Sequence, residues 1–182
     1  MKTLIFLALL VANLGHAQEL KIEPVYGFER TYHAEPKPSR YRTEVFLGLR
    51  ANYGTKLLSL EGEINQANSD DTIGDVTAKY NTQTLMLGLK LVPISGEYYN
   101  IFMRSGIRVR KKTTELTQNG VTSSTTDGPN LDPYAGAGIG IGFGSVFSLN
   151  ASATLVYNRN APAGEQYDTR YTLGAGMKFG NR

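Results

Sequence analysis

Residues 41–54, YRTEVFLGLRANYG, are the stretch that decides the fold. Apolar side chains recur at the odd positions, as at Val45 and Leu47, while the even positions between them include Arg42 and Arg50. Successive side chains of a β-strand point to opposite faces. A period of two over this length therefore predicts a long strand with one apolar face and one polar face.

Seven other segments alternate in the same way, although the fourth is less regular. Its alternation is strong over 85–91 but changes phase near 76–81. A β-bulge would re-aim the side chains at such a point, so we expect one at the start of that strand. The seven segments cover approximately residues 20–32, 57–65, 76–91, 99–111, 133–143, 147–157 and 169–179.

The connections between these segments are alternately long and short, so the long ones share one end of the structure. The long, polar connections are 33–40, 66–75, 112–130 and 158–168, and the short ones are 54–56, 93–97 and 144–145. This predicts an all-β fold: an eight-stranded antiparallel up-and-down transmembrane β-barrel with short periplasmic turns and long extracellular loops. Segments of about ten residues are long enough for tilted strands to cross a bilayer.

The charged faces set the orientation, because a Lys or Arg facing lipid at mid-bilayer costs roughly 2–4 kcal/mol. We therefore expect apolar faces outward and charges in the lumen, with Glu61 and Arg104 forming a pair near mid-depth. The predicted lumen charge network comprises Glu23, Glu29, Glu44, Arg50, Glu61, Glu63, Lys90, Arg104, Arg108 and Arg170, with Arg42, Arg110 and Lys178 on the same faces. Inward glycines at 136, 138, 140, 142, 174 and 176 leave room for a narrow pore.

Aromatic side chains concentrate at both ends of the apolar faces, which is typical of the girdles at membrane interfaces. The predicted periplasmic girdle comprises Tyr53, Tyr99, Phe143 and Phe147, joined by Phe179. The predicted outer girdle comprises Tyr32, Tyr41, Tyr157 and Tyr171.

Residues 1–17 have the pattern of a secretory signal peptide. Lys2 is followed by an unbroken apolar run over 4–12, and small residues occupy Gly15 and Ala17. The run is too short for a transmembrane helix. We expect cleavage after Ala17, which leaves residues 18–182 as the barrel domain.

Composition excludes several classes of protein. The chain has 182 residues, 19 basic and 16 acidic side chains, no Cys and no Trp. It therefore has room for one domain, no basic block for nucleic acid, and no disulfide or thiolate site. A soluble lipocalin-like barrel, with its apolar face inward, stays open as an alternative, although its early Gly-x-Trp signature cannot occur here.

Two segments resemble known outer-membrane barrels. The closing segment 172–179, TLGAGMKF, carries Thr172, Gly174, Met177 and Phe179 at the positions of the C-terminal assembly signal. The stretch 133–140, PYAGAGIG, is similar to a recurrent strand of small barrels of the outer-membrane protein A or X kind. The resemblance implies folding by the barrel-assembly machinery, and we expect no peptidoglycan-binding domain of the kind that follows some of these barrels.

The sequence favours a monomeric, non-enzymatic outer-membrane protein with a structural or surface-contacting role. We expect outer-membrane lipids and lipopolysaccharide as partners, a possible host or surface ligand on the long loops, and no cofactor or bound metal. The acids Asp70, Asp71 and Asp75 are more simply solvated than cation ligands. A narrow porin-like channel is the first alternative.

A lipid A-modifying enzyme is a more distant alternative. By family resemblance it would use His33 with a serine and an acid near the outer rim. Ser39 and Glu35 are the neighbours in sequence. A lone histidine in a loop is more simply explained as solvated, since nucleophile, base and orienting group must converge for catalysis.

Overall fold

The computed structural model describes residues 19–33, 38–159 and 161–179. The predicted signal peptide, residues 1–17, lies outside the described residues, as do Glu35 and residues 180–182. No helix in the described part of the chain is long and apolar enough to cross a membrane.

Eight antiparallel strands close into a barrel in chain order, which confirms the predicted fold class. The ring closes where β1 pairs with β8, from Leu20 opposite Phe179 to Arg30 opposite Thr169. The strands are β1 (Glu19–His33), β2 (Arg40–Gly54), β3 (Leu58–Ile73), β4 (Val76–Ser95), β5 (Tyr99–Gln118), β6 (Val121–Phe143), β7 (Phe147–Tyr157) and β8 (Tyr167–Phe179).

The two rims of the barrel differ. The terminal rim holds the start of β1, the end of β8 and the short connections at 55–57, 96–98 and 144–146. The hairpin rim holds the other four connections. The prediction of long loops over 66–75 and 112–130 is wrong, because most of these residues continue the strands.

Two-residue turns replace those long loops. The β5–β6 hairpin turns at Asn119 and Gly120, with φ of 50° and 77°, and the β3–β4 hairpin turns at Gly74, with φ of 58°. Asn-Gly is the strongest short-range hairpin signal, because both positions of its turn need positive φ. The polar composition of these segments was misread as loop, whereas strands that leave a membrane are polar because water contacts them.

The predicted bulge at 76–81 is also wrong. β3 and β4 pair without interruption from Leu58 opposite Leu91 to Ile73 opposite Val76. The inward and outward positions keep alternating without a change of phase. Ala78 and Tyr80 are buried inside the barrel, and the outward residues beside them are polar instead of apolar. The register shifts lie elsewhere, between Leu91 and Ile94 and between Arg110 and Lys112.

At the hairpin rim, four strands continue past the last backbone pairs that join them to the neighbouring strands β2 and β7. β2 stops pairing with β3 at Phe46 opposite Ala67, and β6 pairs with β7 only from Tyr134 opposite Val156. Pro133, which has no backbone N–H, stands where that second pairing ends. The upper parts of β3 to β6, residues 68–73, 76–83, 111–118 and 121–130, therefore form what we call the protruding sheet.

The barrel is apolar outside and charged inside, the reverse of a soluble protein. Leu47 is 66% exposed and Leu173 61%, whereas Arg50, Arg104, Arg108 and Arg170 are among the largest fully buried side chains. This contradicts the lipocalin-like alternative. The outward apolar side chains form a belt over residues 20–32, 41–53, 58–64, 85–94, 99–109, 131–143, 147–157 and 167–179 of β1 to β8.

All nine residues named as girdles lie on the outer surface, near one rim or the other. Tyr32 packs edge-on against Tyr41 at a ring-centroid distance of 6.0 Å, and Tyr171 lies 5.2 Å from Phe28. Tyr157 makes a similar contact, 5.6 Å, with Tyr167, which was assigned to a loop from the sequence. Near the terminal rim, Tyr53, Tyr99, Phe143 and Phe147 are exposed.

Candidate functional site

Eleven charged side chains cross the middle of the lumen and form the charge plug. Inward alternation from six strands brings them together, and every one is buried. The members are Glu23, Glu29, Arg50, Glu61, Glu63, Arg104, Arg108, Arg110, Asp132, Asp168 and Arg170.

The half of the plug nearer the terminal rim centres on two arginines. Arg50 lies 3.2 Å from a carboxylate oxygen of Glu23 and 2.7 Å from one of Glu63. Arg104 contacts Glu61 at 2.6 Å and Glu63 at 3.3 Å. The pair expected at mid-depth, Glu61 and Arg104, is thus in direct contact.

The other half of the plug centres on Arg108. Its guanidinium lies 2.8 Å from Asp132 and 3.0 Å from Asp168, and it also pairs with Glu29. Arg110 approaches the same oxygen of Asp168 at 3.3 Å. A single guanidinium presents five donors in a fixed fork, which lets Arg108 serve three carboxylates.

Arg170 joins the two halves. It donates to Glu29 at 3.3 Å, pairs with Glu63, and stacks 3.6 Å from the ring centroid of Phe46. Buried charges are tolerated when they are paired and hydrogen-bonded. Five arginines against six carboxylates come close to neutrality, so the plug meets the pairing part of that condition, whereas some of its nitrogens, such as Arg104 Nη1 and Arg108 Nε, have no hydrogen-bond partner among the described residues.

All ten charges named from the sequence lie inside the barrel, and eight of them belong to the plug. Glu44 and Lys90 do not: Glu44 bonds His33, and Lys90 stacks on the ring of Phe102 at 4.0 Å. Asp132 and Asp168 were missed, because the sixth and eighth segments were started one residue too late. Extending each alternation by one position would have found both.

A second cluster lies at the hairpin rim, beyond the apolar belt. His33 Nε2 lies 3.0 Å from Glu44, and its ring meets that of Tyr80 edge-on at 4.4 Å. The Lys112 ammonium lies 4.4 Å from the centroid of the Tyr80 ring. Burial lowers the pKa of His33, and burial lowers the pKa of Lys112 to about 8.

The position of His33 corrects the catalytic alternative. The residue is not in a solvated loop but ends β1 inside the barrel, only 2% exposed. Ser69 Oγ and His33 Nε2 both approach the same oxygen of Glu44, at 3.4 and 3.0 Å. A nucleophile needs the histidine itself as its base, so this shared carboxylate is not a catalytic triad.

The three aspartates considered as cation ligands do not converge. Asp71 is buried and pairs with Arg40 at 2.9 Å and with Arg42, while Asp70 is exposed on the opposite face. Neighbouring strand residues must diverge in this way. Within the described residues, no three His, Asp or Glu side chains are grouped to hold a metal ion.

Comparison with known proteins identifies the family. The family described as "Outer membrane protein beta-barrel domain" matches residues 7–179. The chain belongs to that family. No curated protein matches the sequence.

Solved structures of small outer-membrane barrels share the fold of this family member. Ail, the attachment invasion locus protein of Yersinia pestis, aligns at a TM-score of 0.61 and 13% identity, covering 90% of this chain and 99% of that one. OprG from Pseudomonas aeruginosa gives 0.59 and 12%, covering 90% and 96%. Neisserial surface protein A gives 0.58 and 9%, covering 88% and 95%. Ail has also been solved with the heparin analogue sucrose octasulfate.

The sequence suggested open space in the lumen beside the inward glycines. In the structure of this outer-membrane barrel, most of that space is not open. A methyl group on Gly138 would meet the Phe102 ring, one on Gly174 would meet Glu23, and one on Gly176 would meet Lys21. Gly142 differs, since nothing lies closer than 3.9 Å. Most of the expected space is therefore filled by side chains from other strands.

The four residues of the predicted assembly signal lie on β8 of the barrel. Met177 and Phe179 face outward with the apolar belt, and Thr172 is buried in the lumen. Gly174 lies where a side chain would displace Glu23 of the plug. In the strand that closes the ring, the segment thus has one face toward lipid and the other toward the lumen.

Proposed function

We propose that this outer-membrane barrel is a non-enzymatic, non-conducting scaffold that presents the protruding sheet to partners outside the cell. The observation that carries the proposal is the free edge of β6 over residues 121–130. Rigid scaffolds commonly place binding on the segments that leave them. The terminal rim would then face the periplasm and the hairpin rim the exterior.

The free edge of β6 suits an extended polypeptide. Residues 121–129 are all exposed, and β7 pairs with β6 only from Tyr134 onward. An unpaired strand edge presents backbone donors and acceptors to which another strand can add. Asp127 is the one charged side chain over 121–130, so the edge has little of the charge that commonly blocks such pairing. Pro129, which has no backbone N–H to donate, limits the open edge to 121–128.

The opposite edge of the protruding sheet, on β3, is covered instead. Asp71 of that edge pairs with Arg40 and Arg42 of β2, and Ser69 donates to Glu44 at 3.4 Å. Side chains thus bridge β2 and β3 where their backbones no longer pair. The two edges differ, which favours binding along β6.

The charge plug supports a closed lumen over the porin-like alternative. An eight-stranded barrel is just wide enough to be filled by its own side chains. Here the arginines and carboxylates of the plug span it from Glu23 to Asp168. An ion crossing the lumen would have to displace these pairs.

The proposal also covers the partners, export and oligomeric state of the barrel. Outer-membrane lipids and lipopolysaccharide would contact the belt and its girdles, and the barrel-assembly machinery would read β8 during folding. The chain would be exported by residues 1–17, cleaved after Ala17, and act as a monomer. The heparin analogue bound to Ail concerns that protein, and at 13% identity the likeness supports the fold only.

Two variants test the surface role. One replaces the tip of the β5–β6 hairpin, residues 113–126, with an Asn-Gly turn. The other, S124K with T126K, adds edge charge that blocks strand addition. A matched control, Q83K with T113K, adds the same charge on the central strands β4 and β5.

The readouts are heat-modifiable gel migration, then adhesion and serum survival of a Gram-negative strain that produces each variant. We expect all variants to migrate as folded barrels. Truncation and edge lysines should abolish any adhesion or survival that the wild type confers, while the control retains it. Unchanged phenotypes in the truncated variant, or equal loss in the control, would contradict the proposal.

A further inference from the structure

The lumen between the charge plug and the terminal rim is rich in hydrogen-bond donors. We call this region the lysine vestibule, defined by the inward residues Lys21, Asn52, Lys90, Asn100, Ser148, Asn150 and Lys178. It lies at the opposite end of the barrel from the protruding sheet.

Positive charge in the vestibule exceeds what its carboxylates neutralise. Lys21 and Lys178 are direct cross-strand partners, a placement that is unfavourable for like charges. Lys90 is 7% exposed, and its ammonium lies over the Phe102 ring at 4.0 Å. The acids on this side are Glu19, at the rim, and Glu23, whose carboxylate is already shared between Lys21 at 3.1 Å and Arg50 at 3.2 Å. Glu61 shares the inward face with Lys90 but is paired with Arg104 at 2.6 Å.

Buried amides in the vestibule have no protein partner. Both polar atoms of the Asn52 and Asn150 side chains, and Ser148 Oγ, are shielded from solvent and make no hydrogen bond within the described residues. All three residues are 5% exposed. Leaving such a group unsatisfied costs about 1–3 kcal/mol, so a bound species is expected to satisfy several of them at once.

Two glycines let these donors converge. The position of a methyl group on Gly140 would lie 2.6 Å from Asn150 Oδ1 and 2.7 Å from Asn100 Nδ2. At Gly176 the corresponding distances are 2.7 Å to Lys21 Nζ and 2.8 Å to Ser148 Oγ. The Lys21 ammonium, the Asn100 amide nitrogen and the Ser148 hydroxyl are the donors that lie beside these glycines, and Asn150 Oδ1 is an acceptor.

We propose that the lysine vestibule binds a small inorganic oxyanion of the phosphate or sulfate type. An oxyanion accepts several hydrogen bonds at once and offsets the repulsion between Lys21 and Lys178. A cation would increase that repulsion, and a water molecule has no net charge with which to offset it. Charge-assisted hydrogen bonds of this kind are the strong ones. The site does not depend on the surface role, which uses the other rim.

The experiment titrates ¹⁵N-labelled barrel in detergent micelles with inorganic phosphate, at constant ionic strength held with chloride. We expect saturable shifts of the Asn52 and Asn150 side-chain amide signals. K90M should weaken phosphate binding by about tenfold, equivalent to about 1.4 kcal/mol. K112M is the matched control, because Lys112 is also a lysine stacked on an aromatic ring, 4.4 Å from Tyr80, but at the other rim.

Heat-modifiable migration shows whether each variant has folded, and K178Q, at the rim, serves if K90M does not. Absence of a saturable shift in the wild-type barrel would overturn the proposal. So would equal phosphate affinity in the wild type and in K90M or K178Q, and so would an equal loss in K112M. Retention of the protruding-sheet phenotype in K90M would show that the two proposals are independent.

Discussion

At the scale of single residues, arginine makes this interior possible. Arg108 reaches three carboxylates and Arg170 joins both halves of the plug while stacking on Phe46. A guanidinium is always charged, planar and rich in donors, so one side chain can satisfy several acids in a narrow space. Which side of each strand these residues occupy was predictable from alternation. Which acid pairs with which arginine was not, because the register between strands decides it.

We predict that R108M destabilises the barrel more than E61Q. R108M leaves Glu29, Asp132 and Asp168 without their shared guanidinium, and breaking a buried ion pair costs about 3–5 kcal/mol. E61Q leaves Arg104 paired with Glu63 at 3.3 Å, so a loss of about 1–2 kcal/mol is expected. The midpoint of urea-induced unfolding in lipid vesicles measures both, with R159M at an exposed position as control. Equal effects of the two variants would contradict the role given to Arg108.

We predict that stability declines as the pH falls below about 6.5, the ordinary histidine pKa, because of His33. Burial lowers the pKa of His33 in the folded barrel. The unfolded chain therefore binds the proton at a higher pH, so the free energy of unfolding falls with pH in this window. H33Q keeps a donor for Glu44 and should flatten the decline. An identical slope of unfolding free energy against pH in wild type and H33Q would refute this.

At the scale of elements, the strands and their faces were predictable and their lengths were not. Period-two alternation located all eight strands because lipid on one side and charge on the other impose opposite chemistry. Above the belt, water contacts the outer face, so the contrast fades and 66–75 and 112–130 look like loops. Their turns carried a readable signal in Asn119-Gly120, where both residues adopt positive φ.

We predict that outward positions of β4 differ sharply in their tolerance of charge. L89R places a guanidinium in the middle of the apolar belt and should cost about 2–4 kcal/mol of folding free energy in a bilayer. Q83R lies on the same face of the same strand, beyond the belt, and should be nearly neutral. Folding titrations in lipid vesicles measure both variants. Similar costs at the two positions would show that the belt boundary is misplaced.

At the scale of the whole molecule, a closed ring of strands is filled by the charge plug and extended by the protruding sheet. The fold class followed from the sequence, since alternation and turn spacing constrain a barrel strongly. The sequence did not predict that the ion pairs of the plug form one connected network, or that side chains fill the space beside Gly138 and Gly174. Both depend on side chains that cross the lumen from other strands.

We predict that the purified barrel gives no steady unitary currents in planar bilayers. In the proposed scaffold, an ion would have to displace the buried pairs of the plug. R108M, which removes the guanidinium shared by three acids, is the variant expected to show conductance first. Steady single-channel steps from the wild-type barrel would favour the porin-like alternative.

The central claim is that oily side chains face acyl tails while charged ones face a closed interior. The chain has no Cys, so single-cysteine variants along 85–91 of β4 accept one nitroxide label each. In lipid bilayers, electron paramagnetic resonance should show high collision rates with oxygen at odd positions and low rates at even ones, with a polar nickel reagent excluded from the odd set. Equal access of the nickel reagent to every position, or oxygen access favouring the even positions, would contradict the account.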